Sequence, residues 1–289
     1  MLNGLFVPLF TAFKADQSVA FDETISHASW LIDNGVDGLV PFGTFGEGAS
    51  LGLSERIRLT EGILKIANGA KIIPSVISNS FGDIKEYIEF ANTQKIDGLM
   101  VMPPGYFRPS DDRSLIGFFE RVLEISKHPV IAYNFPGMSL TLSPNVVSST
   151  KVWGVKDSSG QLPSARGYLE AGAKVLMGSD SLLAEGIRIG ASGGICGMAN
   201  FFPQRMKSVY DLASNGKFDE GNELLKPVVA FSNLYVKPDY TPGLAISALK
   251  SAAVGVIPTK LGDMRTPAPK IEFSSEELAA GRRIVESSR

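Results

Sequence analysis

The 289 residues carry 28 basic and 30 acidic side chains, a formal net charge of −2. That balance offers no polycationic face to nucleic acid or to an acidic membrane surface. No apolar stretch approaches the length of a membrane span, and the start, Met1-Leu2-Asn3-Gly4-Leu5, lacks the basic-then-apolar pattern of a signal peptide.

Short runs rich in Val and Ile alternate with helical patterns through the first two hundred residues. Strands are predicted at 4–10, 38–42, 71–77, 98–102, 130–134, 152–156, 174–178 and 193–197. Helices are predicted at 22–34, 54–68, 83–94 and 114–126, with shorter crossovers over 159–171 and 180–189. The strands lack period-two alternation, which argues for a parallel sheet covered on both faces. Eight such units favour a closed α/β barrel over an open doubly wound sheet. After Asn200 the periodicity is helical only, at 205–212, 218–231, 241–254 and 275–287, with a Pro-rich extended loop over 260–270. The division expected is a barrel over 1–202 and a helical C-terminal subdomain over 203–289, packed on it without a linker.

A single cysteine, Cys196, excludes an internal disulfide and fits a reducing cytoplasm. In its glycine-rich apolar segment it reads as a small buried residue and not as a nucleophile. The two histidines, His27 and His128, have no second histidine or cysteine nearby, which argues against a zinc site. His128 precedes Pro129 at the entrance of a strand, and no Gly-x-Ser-x-Gly elbow occurs, so a Ser-His-Asp hydrolase is disfavoured.

In a parallel barrel the residues that follow the strands share one rim, where such folds do their chemistry. Lys156 closes the apolar run Val152-Trp153-Gly154-Val155 and precedes Asp157-Ser158-Ser159-Gly160. Read alone, it fits a solvated loop lysine at least as well as a reactive one. At a strand end, dehydration favours the neutral amine, the form that attacks a carbonyl. The second strand ends in Gly43-Thr44-Phe45-Gly46-Glu47-Gly48, whose backbone N–H groups can cradle a carboxylate. The fourth ends in Pro103-Pro104-Gly105-Tyr106, the fifth in Tyr133-Asn134-Phe135-Pro136, and the eighth carries 193–200. Either tyrosine alone fits a packed rim aromatic. An amine, two phenols and a threonine hydroxyl on one rim are the parts Schiff-base chemistry requires. The amine condenses with a ketone, the iminium accepts the electron pair of a neighbouring C–C bond, and a phenol moves the proton.

Gly43-Thr44-x-Gly46-Glu47, Tyr133-Asn134-x-Pro136, Gly154-Val155-Lys156-Asp157 and the segment ending Ala199-Asn200, in this order, resemble the dihydrodipicolinate synthase / N-acetylneuraminate lyase superfamily. The resemblance covers essentially the whole chain, including an Arg265-x-Pro267 near its end. It implies a TIM barrel with a C-terminal helical extension, class I aldol chemistry on pyruvate with no cofactor or metal, and usually a homotetramer. Lys156 matches the Schiff-base lysine and Tyr133 the proton-shuttling tyrosine. Thr44 matches a hydroxyl that relays protons or helps bind the carboxylate, beside Gly43 in the turn. Tyr106 resembles a tyrosine that reaches the neighbouring subunit's site. Ile195 matches the position whose main chain lies near pyruvate, and Glu47 is expected to brace the turn that presents Thr44.

Two positions depart from the pattern. Phe45 replaces the motif's second hydroxyl, which removes a side-chain hydrogen bond to the carboxylate and leaves an apolar wall. Met138 stands where synthases carry an arginine for the second substrate's carboxylate, and a thioether makes no ion pair. The expectation is a lyase that joins or splits pyruvate and an aldehyde, acting on a 2-keto-3-deoxy sugar acid or a related 2-oxo acid. A sugar acid dehydratase or hydratase-aldolase, dihydrodipicolinate synthase itself, and a non-catalytic 2-oxo acid binding protein stand behind it. Substrate selection is expected in the loops around Met138 and around Asp180, the latter equally readable as a helix N-cap.

Overall fold

The computed structural model describes residues 2–262, 264–265 and 269–287; Pro267 of the Arg265-x-Pro267 pattern lies outside them. Eight parallel strands run β1 Gly4–Val7, β2 Gly38–Leu39, β3 in two pieces Lys71–Ile72 and Ser75–Val76, β4 Leu99–Val101, β5 Val130–Asn134, β6 Gly154–Asp157, β7 Lys174–Met177 and β8 Gly193–Ile195. Several stop short of the predicted ends, and proline explains three cases. Pro8 and Pro41 end β1 and β2 because they lack the N–H a ladder needs, and Pro74 splits β3.

The same split strand closes the cylinder. On one side, the Ile73 and Ser75 N–H groups donate to Leu39 and Pro41 carbonyls (2.9 and 2.8 Å). On the other, the Asp97 and Met100 N–H groups donate to Ile72 and Pro74 carbonyls (2.9 and 3.0 Å). The chain order around the sheet therefore returns to β3, and the fold is the expected (β/α)8 barrel with a helical C-terminal part.

The helices that cover the barrel are α1 Phe21–Asp33, α2 Leu53–Ile66, α3 Phe81–Ala91, α4 Asp112–Ile125, α5 Pro144–Ser148, α6 Leu162–Glu170, α7 Leu183–Arg188 and α8 Pro203–Ser214. They are followed by α9 Phe218–Tyr235, α10 Pro242–Val256 and α11 Ser275–Glu286. The five-residue α5 was not anticipated; one turn and a half is too short to show a period, although Ser143 caps it and Pro144 opens it. The crossover predicted over 180–189 is a 3₁₀ turn at Asp180–Leu182 followed by α7. Among the described residues no helix is long and apolar enough to cross a membrane.

The strands do alternate, but between two apolar layers, which hides the period in sequence. Leu5, Val7, Leu99, Val101, Val130, Ala132, Val155 and Val175 belong to the core between sheet and helices. Phe6, Met100, Ile131, Tyr133, Leu176 and Ile195 fill a second cluster inside the cylinder. On β6, Val155 takes the outer layer, so its neighbour Lys156 falls in the inner one.

Candidate active site

β5 and β6 pair in parallel, with Tyr133 opposite Lys156 and Asn134 opposite Asp157. Both members of the first pair are buried, and the Lys156 Nζ lies 4.2 Å from the centre of the Tyr133 ring. The Tyr133 phenol shares a 3.0 Å hydrogen bond with the Thr44 hydroxyl. Phe135 stacks on the Tyr133 ring at 5.9 Å and fixes its plane. The second pair supports the strand ends from behind. Asn134 donates to Asp157 (2.7 Å) and accepts from the Leu142 N–H, while Asp157 also accepts from the Ser159 N–H and hydroxyl.

Thr44 is presented by a strained turn. Phe42 and Glu47 both have φ in the left-handed region, +63° and +52°. A Cβ on Gly48 would stand 1.8 Å from the Phe42 carbonyl oxygen, so only glycine fits. The turn's own bonds, Glu47 N–H to Thr44 O and Gly48 N–H to Gly43 O, bring Gly43 and Thr44 to the rim. The Glu47 carboxylate is buried; it accepts from the Lys250 ammonium of α10 at 2.6 Å and from the Arg265 N–H at 2.9 Å. Arg265 in turn forks onto Glu55 of α2 (2.6 and 2.7 Å), which lowers that carboxyl's pKa. The bracing role expected of Glu47 thus has a partner that sequence reading missed, 203 positions away.

A cavity of about 330 Å³ opens beside the Lys156 ammonium, lined by Thr44, Phe45, Tyr133, Lys156 and Ile195 among others. Phe45 is an apolar wall: its ring packs on Phe10 at 5.4 Å and over Gly197, where any Cβ would meet it at 2.3 Å. The cavity's outer wall comes from α9 and α10, through Ser232, Val236, Ala245, Ile246 and Leu249. These residues carry no local signal: Ala245, Ile246 and Leu249 read as positions of one helix, and Ser232 and Val236 fall beyond the helix predicted over 218–231.

Met138 faces a second cavity, of about 260 Å³, with Ile77, Met102 and Met264. Asp180 faces a third, of about 230 Å³, against α9. Its carboxylate accepts from the Met198 N–H of the β8 loop at 2.8 Å, so it caps no helix of its own. Burial pushes this carboxyl up to about 6. Tyr106 is not brought to the cavity of its own chain. It is 78% exposed, edge-to-face with Phe107, and its loop is held by Asn79, which accepts from the Gly105 and Tyr106 N–H groups.

The β8 loop is anchored by a residue that the sequence reading set aside. His27 is fully buried, one ring nitrogen 2.9 Å from the Asn200 side-chain oxygen and the other 2.8 Å from the Thr259 hydroxyl. Asn200 donates to the carbonyls of Pro8 and Gly197, both on the cavity wall. Burial lowers the imidazole to about 4, so it is neutral around pH 7. Cys196 is buried as expected, and burial pushes its thiol well above the usual range. Among the described residues no group of three His, Cys, Asp or Glu side chains is placed to hold a metal ion.

The model of the dihydrodipicolinate synthetase family matches residues 1–274. An uncharacterised DapA-like lyase of Halobacterium salinarum is 30% identical over 274 residues, covering 92% of this chain and 88% of its own. A 4-hydroxy-tetrahydrodipicolinate synthase of Chlamydia trachomatis is 31% identical over 249 residues, covering 84% and 82%. Among solved structures, the 2-keto-3-deoxygluconate aldolase of Sulfolobus solfataricus superposes with a TM-score of 0.86 at 24% identity, over 99% of this chain and 96% of that one. YagE of E. coli K12, crystallised with pyruvate, gives 0.87 at 23% identity, over 100% and 99%. At those identities the superpositions speak for the fold, and the family match over nearly the whole sequence speaks for descent. The chain belongs to the dihydrodipicolinate synthetase family.

Proposed function

We propose that this protein is a lyase of the class I aldolase type, which joins or splits pyruvate and an aldehyde through a Schiff base on Lys156. The observation that carries the reading is the Lys156–Tyr133–Thr44 arrangement: a buried amine over a phenol that is itself hydrogen-bonded to a hydroxyl.

In the cleavage direction the Lys156 amine adds to the ketone of a 2-oxo acid, and loss of water leaves an iminium. Tyr133 takes the proton of the C4 hydroxyl, and the C3–C4 electron pair moves into the iminium. An aldehyde and an enamine result. Thr44 carries the phenol's proton onward through their shared bond. A proton returned to C3 and the addition of water release pyruvate and the free amine. The N–H groups of Thr44 and Phe45, with the Ile195 main chain, hold the carboxylate in this reading.

The substrate favoured is a 2-keto-3-deoxy sugar acid, because the serine hydroxyls of the cavity wall suit a hydroxylated tail. Dihydrodipicolinate synthase chemistry has a relative in its favour at 31% identity. Against it stands the uncharged Met138. A dehydratase would use the same imine and is told apart by its unsplit product. Tyr106, exposed on its own chain, serves the neighbouring site of a homotetramer in this reading, within the cytoplasm. The strands and their loops, all within 1–202, then hold the chemistry, and the helical part beyond them closes over it through α9 and α10.

The test is reduction with borohydride in the presence of pyruvate. One covalent pyruvate mass is expected on Lys156 and none on Lys156→Ala. A wild-type protein without adduct leaves a 2-oxo acid binding role in place of the aldolase.

A further inference from the structure

The reacting centre adjoins two cavities of different chemistry. The first, about 330 Å³, holds the Lys156 ammonium and has Ser158, Ser159, Ser179 and Ser232 among its lining residues. The second, about 260 Å³, is walled mainly by Ile77, Met102, Met138 and Met264. Two residues line both: Thr44 and Ile246. The Thr44 hydroxyl is tied to the Tyr133 phenol, so its position is fixed by the catalytic arrangement proposed above. Ile246 is a buried aliphatic side chain on α10, 6% exposed, with no polar role to keep it there.

Charge narrows the ligand further. Lys156 is the single Lys, Arg, His, Asp or Glu among the described residues lining the first cavity. In the second, the acidic side chain among the described lining residues is Glu47, already paired with Lys250. Once Lys156 is an iminium, its charge is matched by the 2-oxo acid's own carboxylate. Among the described residues of one chain no second cation lines that cavity, so an acceptor carrying a second anion would lose its water there uncompensated by this chain's own residues. The raised Asp180 carboxyl beside this site adds no positive charge.

We propose that Ile246 is a specificity-determining partition: it confines the acceptor to the serine-lined cavity, so the protein takes short, uncharged hydroxyaldehydes, and the methionine-lined cavity is closed to the acceptor's tail. This rests on the reading of Lys156 as the Schiff-base residue. Unbranched thioethers adapt to varied apolar shapes, so the second cavity would accept an alkyl tail once the partition is trimmed.

The experiment supplies pyruvate with glyceraldehyde, glyceraldehyde 3-phosphate or hexanal and reads product mass and kcat/KM. Wild type is expected to prefer glyceraldehyde to both others. In Ile246→Ala the ratio of hexanal to glyceraldehyde should rise about tenfold or more, since each methylene newly buried is worth roughly fourfold. Borohydride should still trap pyruvate at Lys156 in the variant. If Ile246→Ala does not fold, Ile246→Val is expected to shift the same ratio a few-fold in the same direction. The proposal is overturned by an unchanged ratio with trapping intact, by a preference for the phosphorylated aldehyde, or by a wild type that traps pyruvate yet uses neither neutral aldehyde. Loss of trapping in wild type would instead remove the aldolase reading beneath it.

Discussion

Tyr133 and Lys156 face each other across the β5–β6 ladder, the ammonium 4.2 Å from the centre of the phenol ring. A strand register, not a loop, therefore sets the distance between the candidate nucleophile and the candidate proton shuttle. Backbone hydrogen bonds on both sides hold that register, and Phe135 stacked on the ring limits its rotation. Such a site is rigid in the direction that matters for proton transfer.

Tyr133→Phe keeps the ring over the ammonium and removes the hydroxyl bonded to Thr44. Pyruvate should still be trapped on Lys156, more weakly, while turnover falls by about 10²–10⁴, the scale of a lost acid–base group. Single-turnover kinetics and adduct mass read the two quantities separately. Wild-type turnover in the variant would take Tyr133 out of the mechanism.

Glu47 and Lys250 form a pair with side chains only 2% and 1% exposed. Glu47→Gln takes the carboxylate from a buried ammonium and should cost about 3–5 kcal/mol. Glu47→Leu combined with Lys250→Met should recover part of that loss, because neither charge is then buried. The Arg265 N–H would still lack its acceptor. Urea unfolding of the single and double variants decides between this and a pair that contributes nothing.

The pH dependence of stability has a definite sign at His27. Its pKa is about 4 in the folded state, against an ordinary value of 6.5. The unfolded chain therefore binds the extra proton between those values, and stability falls as pH drops through that window, by roughly 3 kcal/mol at its lower end. Asp180, raised to about 6, slopes the opposite way over part of the range. The measurement is thus the difference in urea midpoint between wild type and His27→Gln from pH 7 to 4, in which the Asp180 contribution cancels. The difference should shrink on acidification; a constant difference would mean that His27 is not held neutral by the fold.

Gly197 meets the far end of the Phe45 ring, which a Cβ would approach to 2.3 Å. A ring tip can move where backbone cannot, so Gly197→Ala should fold and push Phe45 into the cavity. Half-saturation of borohydride trapping by pyruvate should rise about tenfold, in line with overpacking costs of about 1–3 kcal/mol. Gly197→Ala with Phe45→Ala should reverse much of the change. Equal affinity in all three proteins would show that the ring does not bound the pyruvate site.

Tyr106 is exposed and does not line its own chain's cavity. If it completes a neighbouring site, inactive Tyr106→Phe and inactive Lys156→Ala proteins, unfolded and refolded together, should regain a fraction of wild-type turnover. Sedimentation would report a tetramer. Full activity of Tyr106→Phe by itself would end that assignment.

The strand and helix order was legible because each βα unit repeats a local contrast, an apolar run against an amphipathic one. The place of Lys156 at the end of a barrel strand was legible because it closes such an apolar run, but from that run alone a solvated loop lysine read as well as a reactive one. Strand ends were misjudged where Pro8, Pro41 and Pro74 remove ladder donors, a local rule that the apolar runs on either side obscured.

What the residues fixed on their own is therefore the succession of elements, since it follows from neighbours a few positions apart. Tertiary structure alone decided the rest: that Lys250 reaches Glu47, that α9 and α10 wall the cavity, that His27 meets Asn200, that Tyr106 turns outward. Those contacts join segments tens to hundreds of residues apart. They are chosen by how helices pack on a closed cylinder, and packing leaves no periodic trace in the segments it joins.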